Sequence, residues 1–195
     1  MKGRLGWGVC GSFCTVSAAC NQIAHLSSDW EVVPVLSDNV RTIDTRFGSA
    51  AEVRARIEGI AGRRAVDSIV DAEPLGPKEP LDVMVIAPCT GNTLAKLAHG
   101  ITDTPVTMAA KAHLRADRPL LLALATNDGL SANLANISIL LERKSVFFVP
   151  FAQDDPVRKP HSLICRFEQL PEALEKALQG RQLQPVLAAE MKMGS

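Results

Sequence analysis

The sequence predicts an α/β protein, a three-layer Rossmann-like (flavodoxin-like) fold with a mostly parallel, doubly wound sheet of about six strands. Two observations carry that expectation. Short apolar runs of strand length recur along the chain and alternate with stretches of helical spacing. Of 195 residues, 47% are hydrophobic and 22% charged, the balance of a globular chain. That length suits one domain over 1–195, with 186–195 expected as a loose tail. No repeat, low-complexity stretch or internal linker divides it.

The elements follow in order. Residues 5–10 (LGWGVC) read as a first strand before a Gly-Ser turn. Residues 15–26 read as a helix, with Val16, Ala19, Cys20, Ile23 and Ala24 near one face. Residues 30–36 (WEVVPVL) form a β-rich run in which Pro34 weakens the ladder. Residues 49–60 have Val53, Ile57 and Ile60 at helical spacing, and Gly62 is the expected stop. A short strand is expected at 66–70 and a Pro-rich loop at 72–80. Residues 81–87 (LDVMVIA) and 120–125 are the two strongest buried strands. Helices are expected at 92–99, 105–116 and 130–142, a last strand at 145–149, and a polar loop over 153–161. Pro171 opens a final helix over 171–178.

Composition excludes several functions. Lys+Arg and Asp+Glu are both 21, so no basic excess marks a nucleic-acid binder. Aromatics are 4% with no Tyr, which argues against a base-stacking surface and excludes a Tyr acid. No apolar stretch reaches the length of a membrane span, and the N-terminus lacks the apolar core of a signal peptide. Five cysteines without disulfide or zinc spacing suit a reduced, cytoplasmic protein, with no metal site expected.

In an open α/β sheet, ligands bind beyond the carboxyl ends of the strands. Four segments fall there: Gly11-Ser12-Phe13-Cys14-Thr15, Ser37-Asp38-Asn39, Pro88-Cys89-Thr90-Gly91-Asn92-Thr93 and Thr126-Asn127-Asp128-Gly129. Such residues serve turns and helix caps, and they also hold phosphates through backbone N–H groups and short side chains. Their recurrence on one sheet edge favours a ligand. Residues 6–11 match G-x-G-x-x-G, but Gly6 and Gly8 fall inside the first strand. The match keeps direct NADP binding as an alternative, with Asp38 as the ribose-reading acid. Asp103 is expected to cap the helix that starts near Pro105. Among the four histidines, His161 lies in a polar loop and is the best candidate for chemistry, while Cys89 reads as a small site-lining residue.

Residues 87–103 (APCTGNTLAKLAHGITD) resemble the signature of the homo-oligomeric flavin-containing Cys decarboxylase superfamily. Within it, residues 42–48 (TIDTRFG), 125–130 (ATNDGL) and 153–160 (QDDPVRKP) resemble the B-subunit family of dipicolinate synthases. The departures are informative. No His follows the second strand, Thr126-Asn127 stands where decarboxylases carry Met-Asn, and QDDPVRKP replaces a Cys-bearing flap. Asn127-Asp128-Gly129 also replaces the Glu-Thr-Pro of the flavin prenyltransferases, so neither of those chemistries carries over.

The resemblance implies oxidation of a dihydrodipicolinate-type intermediate to dipicolinate in the mother cell of a sporulating bacterium. It implies FMN as cofactor, homo-oligomerisation, and a dipicolinate synthase A subunit of nicotinamide-type fold as partner, which brings NADP to the reaction. Gly11, Ser12, Phe13, Ser37, Pro88, Cys89, Thr90, Asn92, Thr93 and Asn127 are then the expected FMN contacts. A dicarboxylate substrate calls for cations, and Arg46, Arg158 and Lys159 are the expected ones. Two alternatives stand beside this reading: a non-catalytic flavin-fold partner that stabilises the A subunit, and a flavin-dependent decarboxylase-like enzyme. No residue is singled out for proton transfer.

Overall fold

A computed structural model describes residues 1–188. The chain opens with β1 (Gly3–Val9), α1 (Phe13–Leu26), β2 (Trp30–Leu36), α2 (Asp38–Thr42), α3 (Ala50–Ala61) and α4 (Ile69–Ala72). It continues through β3 (Val83–Cys89), α5 (Gly91–His99), α6 (Pro105–Leu114), β4 (Leu120–Thr126) and α7 (Leu134–Leu141). β5 (Val146–Phe148), β6 (Phe151–Asp155), β7 (Lys159–Cys165) and α8 (Leu170–Leu178) complete it. The sheet has seven strands in the order β2-β1-β3-β4-β7-β6, with β5 also on β4. β1, β2, β3, β4 and β5 pair in parallel, whereas β7 runs antiparallel to β4 and β6. Helices cover both faces, α1 packing with α3 and α8, and α6 with α4 and α5.

The strands are apolar throughout because neither face meets water. In β3 every residue is buried. Trp7 is fully buried in β1, and its indole N–H donates to the Ala87 carbonyl of β3 at 3.0 Å. Gly6 and Gly8 lie inside β1, so the G-x-G-x-x-G match is not a phosphate loop. A Cβ at Gly8 would stand 2.9 Å from Val106 of α6, which gives that glycine a packing role. β3 pairs with β4 in register up to Ile86, then shifts before Cys89. Pro88 lies in that gap and offers no N–H to the ladder.

Several expectations are corrected. Ala24 is exposed, and the buried face of α1 continues through Leu26 instead. Residues 66–70 do not form a strand: Val66 makes one parallel bridge to Val35, and Ser68 then caps α4 by accepting from Asp71 N–H at 3.0 Å. The polar segment 153–161 is not a loop but most of the β6–β7 hairpin, whose pairing with Ala125 and Thr126 compensates for its few apolar residues. The helix expected from 130 begins at 134, because the Asp128 carbonyl accepts from Ser131 and Asn133 and closes a turn. Asp103 does not cap α6. Thr104 does, in a capping box with Thr107, while Asp103 pairs with Lys96 at 2.8 Å. Within the expected tail, Val186 and Ala188 hydrogen-bond to Phe151 at 3.0 and 2.9 Å, and 189–195 lie outside the described residues. No helix among the described residues is long and apolar enough to cross a membrane.

Candidate functional site

The sheet reverses its winding between β1 and β3, and the space beyond their carboxyl ends is where an open α/β sheet takes a ligand. A cleft of about 760 Å³ opens there. Gly11, Ser12, Cys14 and Thr15 line it from β1 and α1, Thr90, Gly91 and Asn92 from β3 and α5, and residues 125–128 from β4. Asp154 and residues 159–164 of the hairpin close its outer side. A smaller cavity of about 220 Å³ adjoins it, lined by Cys10, Ser37, Thr93 and Lys96 together with Gly11, Thr90 and Asn92.

Local chemistry explains these placements. The N-cap of α1, Ser12, makes no side-chain cap bond, and no acid stands in that first turn. Thr15 N–H turns back to the Ser12 carbonyl at 2.9 Å, while Ser12 and Cys14, at the start of the helix, line the cleft. The Ser12 hydroxyl instead accepts from Thr15 Oγ1 at 3.0 Å. In α5, Thr90 caps by accepting from Thr93 N–H at 3.4 Å. Its hydroxyl donates to Thr93 Oγ1 at 3.2 Å, which in turn donates to Cys10 Sγ at 3.2 Å. The Asn92 and Asn127 side chains are exposed and make no hydrogen bond among the described residues.

Below the cleft runs a polar chain. Asn136, buried, donates to Asn133 Oδ1 at 2.9 Å, and Asn133, also buried, donates to Asp128 Oδ1 at 2.9 Å. Thr126 Oγ1 donates to the same carboxylate oxygen. Gly91 is pressed against this cluster: a Cβ there would stand 2.5 Å from both Asn133 Nδ2 and Thr126 Oγ1, and 2.7 Å from Asp128 Oδ1.

The ionisable groups are few. Burial pushes the Cys10 thiol up to about 11, with the Thr93 hydrogen bond opposing that rise. Burial likewise raises Cys89 well above the ordinary range. A neutral, buried thiol is a poor nucleophile. Lys159 donates to Asp154 Oδ2 at 2.6 Å, and that hydrogen bond raises its pKa and keeps it cationic. Lys96 holds the Asp103 carboxyl below its ordinary range in the same way.

Of the residues expected at a flavin, Gly11, Ser12, Ser37, Thr90, Asn92, Thr93 and Asn127 line the two cavities. Phe13, Pro88 and Cys89 line neither; Phe13 packs on the core, and Pro88 and Cys89 are buried in β3. Of the cations, Lys159 lines the cleft. Arg158 is exposed in the hairpin turn, where its N–H donates to Asp155. Arg46 is exposed with its guanidinium 4.8 Å above the Phe47 ring, and it lines neither cavity. Cys14, Asp154 and residues 162–164 are further lining residues. Cys14 lies in the segment already marked after the first strand, two residues beyond Ser12, but nothing local marks the hairpin positions.

The donor set fits FMN. The cleft falls in the volume range of cofactor pockets, about 300–1,000 Å³. Helix N-termini and neutral amides suit a phosphate. No metal-holding group of three His, Cys, Asp or Glu occurs among the described residues.

Comparison with known proteins accords with this geometry. The family model described as Flavoprotein matches residues 4–176. The dipicolinate synthase B subunit of Bacillus subtilis (strain 168) is 51% identical over 189 residues, spanning 96% of this chain and 94% of that protein. The crystal structure of the dipicolinate synthase B subunit from Bacillus halodurans matches with a TM-score of 0.89 and 45% identity over 97% of each chain. The FMN-dependent cysteine decarboxylase SpaF matches with a TM-score of 0.69 and 27% identity over 91% of this chain and 96% of its own. The chain thus belongs to the flavoprotein family, and within it to the dipicolinate synthase B subunits.

Proposed function

We propose that this chain is an FMN-binding oxidoreductase subunit that works with a dipicolinate synthase A subunit to oxidise a dihydropyridine dicarboxylate to dipicolinate. The observation that carries the reading is the cleft at the β1/β3 switch point, lined by the start of α1 and by the Asn92 and Asn127 side chains, which have no partner among the described residues. The chain's similarity to an FMN-dependent decarboxylase supports the same cofactor.

In this reading the α1 amides, Ser12, Ser37 and Asn92 hold the phosphate, and Asn127 meets the ring system from the end of β4. FMN, when bound, supplies two-electron oxidation. Lys159 attracts one substrate carboxylate, with Asp154 fixing the ammonium, and Arg158 stands one residue away for the other. Arg46 would join them only by a movement of its turn toward the cleft. The hairpin on the outer side of the cleft shields the ring from water. NADP reaches the reaction through the A subunit, and the chain associates with further copies of itself.

The test is titration of the purified chain with FMN, followed by flavin fluorescence and melting temperature. Quenching and stabilisation are expected, and Asn92→Ala is expected to weaken binding by about tenfold, the loss of one to two hydrogen bonds. Absence of both signals at high FMN overturns the reading. If an Asn92→Ala chain, assayed at an FMN concentration that leaves it unloaded, restores full activity to the A subunit, the chain acts as a scaffold instead.

A further inference from the structure

Two acids line the cleft, and they differ in kind. Asp154 is paired with Lys159 at 2.6 Å. Asp128 has no cation partner among the described residues. Its Oδ1 takes two donors, from Thr126 and Asn133, and Asn133 is itself held by Asn136. Its Oδ2 has no hydrogen-bond partner among the described residues, and Asp128 is half-buried in the cleft wall. One oxygen is thus fixed from below, and the other is left for whatever enters.

A lone carboxylate beside a dicarboxylate ligand is unfavourable unless it faces a group that gives up a proton. Aromatising a dihydropyridine provides one. The ring loses a hydride from carbon and a proton from nitrogen or from the neighbouring carbon.

We propose that Asp128 is the proton acceptor of this site. The hydride leaves a ring carbon for an oxidant of the flavin or nicotinamide class, and the C–H pair goes with it. The remaining proton passes to Asp128 Oδ2, the electrons of its broken bond stay on the ring, as the last π bond where the proton leaves carbon or as the nitrogen lone pair where it leaves nitrogen, and the carboxylic acid releases the proton to water. Thr126 and Asn133 are positioning residues that hold the carboxylate by Oδ1. This inference rests on the oxidoreductase reading above and names the residue that reading lacks.

The other titratable groups around the cleft are Cys14 at the start of α1 and Asp154, Lys159 and His161 on the hairpin. The first turns of α5 and α7 contribute no acid. The acid limb of the rate profile therefore has a small set of rivals, and His161→Gln removes the one histidine among them.

The experiment uses Asp128→Asn in the complex with the A subunit, reading kcat against pH, and the same chain alone, reading FMN affinity and dipicolinate affinity. The expected result is FMN affinity close to wild type, tighter dipicolinate binding because a like charge is gone, and kcat lower by about a hundredfold or more with the acid limb abolished. His161→Gln is expected to keep that limb. Asn133→Ala, which takes one of the two donors from Oδ1, is expected to lower kcat with KM and FMN affinity close to wild type. A kcat within about threefold of wild type, against the effect of a lost general base, overturns the proposal. A loss of FMN binding in step with activity also overturns it, making Asp128 a cofactor-positioning residue. Failure of the wild-type chain to bind FMN removes the reading beneath it, which is a separate result.

Discussion

Gly91 shows how a single missing side chain shapes the site. It is buried at the start of α5, and a Cβ there would collide with Asn133, Thr126 and Asp128 at 2.5–2.7 Å. None of these atoms is the free end of a long side chain. Gly91→Ala is therefore expected to destabilise the fold by about 1–3 kcal/mol and to weaken FMN binding, because the cluster must shift into the cleft. Thermal melting and FMN titration check this together; an unchanged melting temperature would mean that the loop yields freely. The residues Gly91, Asn92 and Thr93 were legible from their place after a strongly apolar strand. The role of Asp128 was not. Its distinction is an oxygen left without a partner, which depends on Asn133 and Asn136 further along the chain.

At the scale of elements, the capping residues set where helices begin. Ser49 accepts from Glu52 N–H at 3.2 Å, and the Glu52 carboxylate accepts from Ser49 N–H at 2.8 Å. These hydrogen bonds hold the Glu52 carboxyl below its ordinary range. α3 buries little beyond Ala50 and Ile57, so its start depends on this box more than on packing. Ser49→Ala is expected to cost about 1 kcal/mol, read as a shift in denaturant midpoint without a change in slope. Local rules of this kind made most helices legible, including the stop at Gly62, which has φ 67. They misplaced the α6 cap because Asp103 and Thr104 are both good N-caps by type. The choice fell to Thr104 because Lys96, on the preceding helix, takes Asp103. The β6–β7 hairpin was illegible for a related reason. Its residues are polar, and its pairing partner is the end of β4, far earlier in the sequence.

Over the whole molecule, the sheet and its helical covers behave as one core, and His113 is a gauge of it. His113 is fully buried on α6, and its Nε2–H donates to the Pro119 carbonyl ahead of β4 at 2.9 Å. Its Nδ1 has no partner among the described residues. Burial lowers its pKa, so the folded chain favours the neutral ring while the unfolded chain takes up the proton more readily. The stabilising contribution is then present above about pH 6.5 and is lost as pH falls toward the lower folded value. Melting temperature is expected to fall over that range, and His113→Gln, which keeps an N–H donor, is expected to flatten the fall. An unchanged acid slope in the variant would assign the effect to other groups. The sequence by itself determined the alternation of strands and helices, the neutral donors at strand ends and the absence of a charge excess, because periodicity, capping and composition are local properties. Only the tertiary structure decided which of those donors share a cleft, that Lys159 lines it while Arg46 does not, and that one Asp128 oxygen has no partner among the described residues. Those outcomes depend on strand order and on the register of β7 against β4, where contacts form between residues far apart in the chain.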